Sequence, residues 1–115
     1  EDITFSGGDP MFQMEAFAEL ASIIKAKSNK NIWCYTGYTF EQLLRNNKSL
    51  ELLKNIDVLV DGRFIEEQKD KEILFRGSRN QRLIDVQQSL KLGEIVTYQP
   101  IGLLSPLLMK YKIHA

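Results

Sequence analysis

The chain alternates short apolar runs with amphipathic stretches. Ile3-Thr4-Phe5 is a short strand pattern, and Met14, Phe17, Ala21 and Ile24 then recur at helical spacing while Glu15, Glu19 and Lys25 are left to face water. Residues 27–31, KSNKN, end that helix. Ile32-Trp33-Cys34-Tyr35 reads as an aromatic strand closed by Thr36-Gly37-Tyr38. A second helix is predicted from a cap at Thr39 through Phe40, Leu43 and Leu44, because Gln42 stands three residues after the threonine in a capping-box pattern. Residues 50–53 supply one or two more helical turns, and residues 56–60, IDVLV, read as a buried strand ending at Asp61-Gly62. Strand, helix, strand, helix, strand is the order of an α/β domain with parallel strands, in which ligands meet the loops after the strands.

The later chain is less regular. Residues 64–71 read as a charged, helical connection and residues 72–75 as a short extension. A polar, cationic loop follows over residues 76–82, then a strand over 83–86 and a helical turn over 87–92 stopped by Gly93. Residues 95–98 read as extended. From residue 100 the composition turns to proline, glycine and leucine, a tail with no assignable element.

The first chemistry suggested is the bend Ser6-Gly7-Gly8-Asp9-Pro10. Proline fits the first helical position, where its missing amide hydrogen costs nothing, and Asp9 is then the N-cap. Two glycines let a ligand approach bare backbone. A tight structural turn and a ligand loop both satisfy this pattern. The lysine and hydroxyl residue of a Walker loop are missing, as is the third glycine of a dinucleotide fingerprint.

Bulk properties narrow the field. In 115 residues, 15 Lys and Arg balance 15 Asp and Glu, so no global field draws the chain to nucleic acid or anionic membrane. Its length predicts a single domain, residues 1–115. Cys34 is the one cysteine, which excludes an internal disulfide framework and any multi-thiolate metal site made by this chain alone. No apolar run approaches the roughly 20 residues of a membrane span, and no secretory leader pattern is present. These features predict a cytoplasmic protein, and a start at Glu1 with a strand already running predicts a piece of something longer.

Four blocks in order, "ITFSGGDPMFQ", "NIWCYTGYTFEQL", "IDVLVDGRFIEEQKD" and "FRGSRNQRLIDV", cover about residues 2–86. Together they resemble the activating proteins of anaerobic ribonucleoside-triphosphate reductase, within the radical S-adenosylmethionine enzymes. The resemblance implies a partial radical S-adenosylmethionine (βα) barrel with mainly parallel strands. It also implies that Ser6, Gly7, Gly8 and Asp9 lie against the methionine end of S-adenosylmethionine, with Asp9 pairing to its ammonium, and that Thr36 and Asp61 contact the cofactor or a cation beside it. For Thr36 and Asp61 a plain turn-capping role is equally open. Tyr35 stands where related activases tend to carry an acidic residue, which counts against the cation.

Arg76, Ser78, Arg79, Asn80, Gln81 and Arg82 form the densest polar group of the chain. Arginine forks bind carboxylate or phosphate; by resemblance the loop serves the cofactor or the docked reductase, and a solvated loop is the alternative. RNA is disfavoured because no aromatic residues interleave the cations. Trp33, Tyr35 and Phe40 are expected in the core or at an interface, Glu66 and Glu67 on a solvated face, and His114 without a catalytic role.

The resemblance further implies a [4Fe-4S] cluster held by three cysteines in a C-x3-C-x2-C run, reductive cleavage of S-adenosylmethionine, and hydrogen abstraction from a glycine of the reductase large subunit. Electrons would come from a donor such as flavodoxin or ferredoxin. Cys34 alone cannot supply three thiolates, so the chain by itself is expected to be inactive, the cluster residues lying upstream in a longer parent. Two other readings remain: a non-catalytic module that docks a partner through residues 76–82, and an activase of another glycyl-radical enzyme such as a formate lyase.

Overall fold

A computed structural model describes residues 2–6 and 9–99. Its elements are β1 (Ile3–Phe5), a 3-10 turn (Pro10–Gln13), α1 (Met14–Lys27), β2 (Ile32–Tyr35), α2 (Phe40–Leu44), α3 (Asn47–Leu53), β3 (Val58–Asp61), a second 3-10 turn (Glu66–Gln68), β4 (Arg82–Asp85) and α4 (Val86–Leu92). The strands form one sheet in the order β1-β2-β3-β4. β1, β2 and β3 are parallel, in register Ile3 with Ile32 and Trp33 with Val58, while β4 runs antiparallel to β3 with Leu59 opposite Ile84. The fold is α/β with a mixed, mostly parallel sheet. Gly7, Gly8 and the tail from residue 100, His114 included, lie outside the described residues.

Strand alternation sends successive side chains to opposite faces, and this sorts the core. Phe5, Ile32, Cys34, Leu59 and Ile84 meet Ala21, Phe40, Leu43, Leu52, Leu53 and Val86 from the helices, with Met14, Phe17, Ile24 and Leu90 packed at the margin. Each such side chain is worth about 1.5–3 kcal/mol when fully buried. On the other face Trp33, Val58 and Val60 pack with Tyr35, Leu83 and Tyr98. β3 is buried along its whole length because both faces are covered, whereas β1 is only partly so. No helix among the described residues is long and apolar enough to cross a membrane.

Local signals explain most boundaries. The Asp9 side chain accepts from the Met11 amide and Pro10 opens the turn, but Gln13 breaks the helical dihedrals, so α1 proper starts at Met14. The Thr39–Gln42 capping box forms in both directions. α3 starts earlier than the apolar pattern indicates because Asn46 caps it through the Lys48 and Ser49 amides. α4 is capped by Asp85 and ends at Gly93 in a left-handed conformation.

Several expectations are corrected. Residues 72–75 form turns and bends, not an extension, and Phe75 takes a positive φ of 69°. The connection over 64–71 contains a single 3-10 turn. By contrast, residues 95–98, read as extended, do lie antiparallel along β4: Thr97 bridges Ile84, the Asp85 amide donates to Val96 O at 2.8 Å and the Tyr98 amide to Leu83 O at 2.9 Å. Lys25, expected in water, turns inward to Asp57 Oδ2 at 2.9 Å; the same oxygen accepts the Ile32 amide at 2.8 Å, which pins the end of α1 to the start of β2.

Candidate functional site

Because β1, β2 and β3 are parallel, their exits gather at one edge of the sheet. Thr36 follows β2 and donates its amide to Val60 O at 3.0 Å, and Gly62 follows β3 and donates its amide to Tyr38 O at 2.9 Å. Gly62 needs its missing side chain, since its φ is 96°. The Asp9 carboxylate joins the β1 exit to the β2 exit. Its oxygens accept the Thr36 hydroxyl at 2.9 and 3.0 Å, the Gly37 amide at 2.8 Å and the Met11 amide at 3.0 Å.

Between these exits lies a cleft of about 340 Å³ walled by Ser6, Asp9, Tyr35, Thr36 and Gly37 on one side and Gly62, Arg63, Phe64 and Gln81 on the other. A second hollow, of about 500 Å³, shares Gly62 and Arg63 and is lined by Thr39, Glu41, Asp61, Ile65, Asn80 and Arg82. The structure thus brings Ser6, Asp9 and Thr36 together and sets Asp61 in the adjoining hollow. Asp61 is 1% exposed, and its carboxylate accepts the Phe40 amide at 2.8 Å and a two-pronged contact from Arg82. Arg82 also reaches the Glu41 carboxylate at 2.7 Å. The Arg82 hydrogen bond is the main reason the Glu41 carboxyl lies below its usual range; Asp61 first and Glu41 second raise the Arg82 guanidinium.

The polar loop is occupied largely with its own architecture. Gln81 Oε1 accepts the Gly77 and Ser78 amides and its Nε2 donates to Gly62 O, all between 2.8 and 3.1 Å. The Ser78 hydroxyl accepts the Ile65 amide and donates to Asn80, whose Nδ2 donates to Arg63 O. Arg76 donates to Gln81 O, whereas Arg79 is exposed. Asn80 and Arg82 therefore border the second hollow, while Arg76, Ser78 and Arg79 line neither hollow.

Sequence reasoning left Arg63, Phe64 and Glu41 outside the site. Arg63 and Phe64 carry a signal in hindsight, standing directly after a strand that ends in Asp-Gly. Glu41 carries none, since its ion pair spans 41 positions to Arg82.

The thiol chemistry is limited. Cys34 is fully buried, and burial first, with the Asp9 charge second, pushes its pKa up to about 12. It is a neutral core side chain at ordinary pH. No group of three or more His, Cys, Asp or Glu suited to a metal occurs among the described residues, so the residues present do not fit an iron–sulfur cluster.

Comparison with known proteins supplies the context. The family described as 4Fe-4S single cluster domain matches residues 1–84. A protein of Enterobacteria phage T4 is 42% identical over 86 residues, covering 72% of this chain and 52% of the relative. One of Vibrio cholerae serotype O1 is 44% identical over 82 residues, covering 69% and 52%, and one of Escherichia coli (strain K12) is 37% identical over 84 residues, covering 70% and 53%. All three are named anaerobic ribonucleoside-triphosphate reductase-activating protein, so the resemblance seen in the four sequence blocks is borne out. The chain spans about half the length of the curated relatives it matches. No solved structure matches it significantly.

Proposed function

The chain belongs to the 4Fe-4S single cluster domain family, and from that premise we propose that it is part of an activating protein for anaerobic ribonucleoside-triphosphate reductase. Residues 1–115 are read as one incomplete (βα) barrel domain of a cytoplasmic radical S-adenosylmethionine activase, with the tail from residue 100 unassigned. The parent generates the glycyl radical of the reductase by reductive cleavage of S-adenosylmethionine. The observation that carries this reading is the gathering of three strand exits around one cleft whose lining residues all lie within residues 1–84, the span matched by the family model.

In this reading Ser6, Asp9 and Thr36 form the rim facing the methionine end of S-adenosylmethionine, Gly7 and Gly8 bind the same ligand as the resemblance implies, and Asp61 supports the rim from the adjoining hollow. Arg63 offers a guanidinium to the ligand carboxylate, the kind of charge-assisted pairing that orients a small anion. Tyr35 and Phe64 supply apolar walls, as small-molecule clefts require. A [4Fe-4S] cluster, when bound by the parent, would supply reducing power to the ligand, and its thiolates would have to come from residues other than these, Cys34 being buried and alone. The exposed Arg79, set on the loop braced by Arg76, Ser78, Asn80 and Arg82, is offered to an acidic surface of the reductase large subunit. A flavodoxin or ferredoxin is the electron donor in this scheme.

The single cysteine favours one competing reading, a partner-docking module without redox chemistry. Anaerobic reconstitution with iron and sulfide separates the two. The full-length parent is expected to develop a cubane spectrum and cleave S-adenosylmethionine once reduced, and the 115-residue chain to do neither. A parent that takes up no cluster, or a cubane spectrum from the 115-residue chain, overturns the proposal.

A further inference from the structure

β3 ends at Asp61 and the next 3-10 turn starts at Glu66, so residues 62–65 cross the site edge with no strand or helix of their own to pair the main chain. Peptide groups set away from water need partners all the same. The side chains of the 76–82 loop supply them. Gln81 Nε2 donates to Gly62 O at 2.8 Å, Asn80 Nδ2 donates to Arg63 O at 2.8 Å, and Ser78 Oγ accepts the Ile65 amide at 3.1 Å. Each of these side chains thus holds a different main-chain group of the same wall.

Their other ends are anchored within the loop. Gln81 Oε1 accepts the Gly77 and Ser78 amides, and Asn80 Oδ1 accepts the Ser78 hydroxyl. A side-chain amide carries donor and acceptor on one plane, which is what bridging a wall carbonyl to an N–H or O–H of the loop requires. The loop is tied down in turn, since the Arg79 amide donates to Gln68 O at 2.9 Å and the Asp70 amide to Gly77 O at 3.2 Å. Ser78 is fully buried and lines neither hollow, so it reaches a ligand only through the wall.

The wall carries Arg63, which borders both hollows and has no ion-pair partner among the described residues. A cation aimed at one ligand group has to start from a fixed main chain, because a binding group that is loosely supported loses its geometry. We propose that Ser78, Asn80 and Gln81 are positioning residues: they brace the 62–65 wall so that Arg63 meets the ligand carboxylate, and so set the preference of the cleft for a ligand that carries one. The proposal rests on the S-adenosylmethionine reading for the ligand but not for the brace itself.

A brace and a merely structural contact differ in what their loss does to different ligands. The experiment uses the full-length parent with Arg63→Ala, Ser78→Ala, Gln81→Met and the double variant Arg63→Ala/Ser78→Ala. Calorimetry measures binding of S-adenosylhomocysteine and of its decarboxylated analogue, and NMR measures exchange of the Ile65 amide. Arg63→Ala is expected to weaken S-adenosylhomocysteine about tenfold and the decarboxylated ligand less than about twofold, as loss of one charge-assisted contact should. Ser78→Ala and Gln81→Met are expected to reproduce that split at about three- to tenfold, and Ser78→Ala to speed Ile65 exchange about tenfold. In the Arg63→Ala background Ser78→Ala is expected to cost no further affinity, because both act on one contact. Equal weakening of both ligands by Ser78→Ala, additive losses in the double variant, normal binding by Arg63→Ala, or unchanged Ile65 exchange overturns the proposal. If the unsubstituted protein binds neither ligand, the S-adenosylmethionine reading fails and Ile65 exchange alone decides the brace.

Discussion

Arg82 closes a two-pronged contact on Asp61, with Nε 3.0 Å from Oδ1 and a terminal nitrogen 2.6 Å from Oδ2. The same guanidinium reaches out to Glu41 at the surface. The two halves of this network should differ sharply in energy. Asp61 is fully enclosed, so removing Arg82 strands a buried charge with, among the described residues, only the Phe40 amide donating to it. Arg82→Ala is therefore expected to cost about 3–5 kcal/mol. Glu41 is half exposed, its attraction screened by solvent, and Glu41→Ala is expected to cost no more than about 1 kcal/mol. Urea unfolding of both variants checks the contrast; equal losses would mean that Asp61 is satisfied without the arginine.

A second prediction concerns the cleft wall. A β-carbon on Gly77 would fall 2.9 Å from Phe64 Cδ1, too close for either atom to stay. Phe64 is 44% exposed and free to swing, so Gly77→Ala should cost less than about 1 kcal/mol. The ring it displaces, however, lines the proposed ligand cleft. The full-length variant should keep its melting temperature within a few degrees while its affinity for S-adenosylmethionine falls. A large loss of stability would show that Phe64 is held in place and cannot yield.

These side chains mark where sequence reading succeeds and where it stops. The helix over 14–27, the strand at Ile32–Tyr35 and the Thr39–Gln42 cap were legible because each depends on residues within a few positions of one another. The Ser6–Pro10 bend and the ends of β2 and β3 were legible as loop tips, and parallel topology then brings them to one edge. What each carboxylate bonds to was not legible. Asp61 faces Arg82 across 21 positions, and Asp9 faces Thr36 across 27, neither of which any local pattern encodes. Residues 72–75 misled for the opposite reason. Their apolar run ILF promises a strand, yet Phe75 turns with positive φ to place its ring 4.9 Å from that of Trp33.

That turn supports a third prediction. A non-glycine residue in the left-handed region is disfavoured by about 1–2 kcal/mol, while an aromatic pair contributes about 0.5–1.5 kcal/mol beyond area burial. Phe75→Gly removes both, so stability should move by only about 1 kcal/mol in either direction. Trp33 is the single tryptophan, and it loses its cover. Its emission should shift to longer wavelength and become more readily quenched by acrylamide. An unshifted spectrum would mean that Tyr98, on the other contact at 5.3 Å, covers the indole alone.

The buried thiol makes stability depend on alkaline pH. Cys34 titrates near 9.0 when free and is pushed up to about 12 in the fold. The native state therefore holds this proton more tightly than the unfolded state. The resulting stabilisation is complete below pH 9 and is lost as pH rises toward 12, at about 1.4 kcal/mol per pH unit. Lysines and tyrosines also titrate in that range, which is why the comparison needs Cys34→Ala. That variant should be less stable at pH 8, since it opens a small void against the core of Phe5, Ile32 and Leu59. Between pH 9 and 11 its stability should fall less steeply than that of the unsubstituted protein, so that the two urea midpoints converge. Thiol reagents offered at pH 8 should leave native Cys34 unmodified and react once urea unfolds the chain. Parallel pH slopes, or rapid labelling of the native protein, would show the thiol to be open to water rather than enclosed in the core.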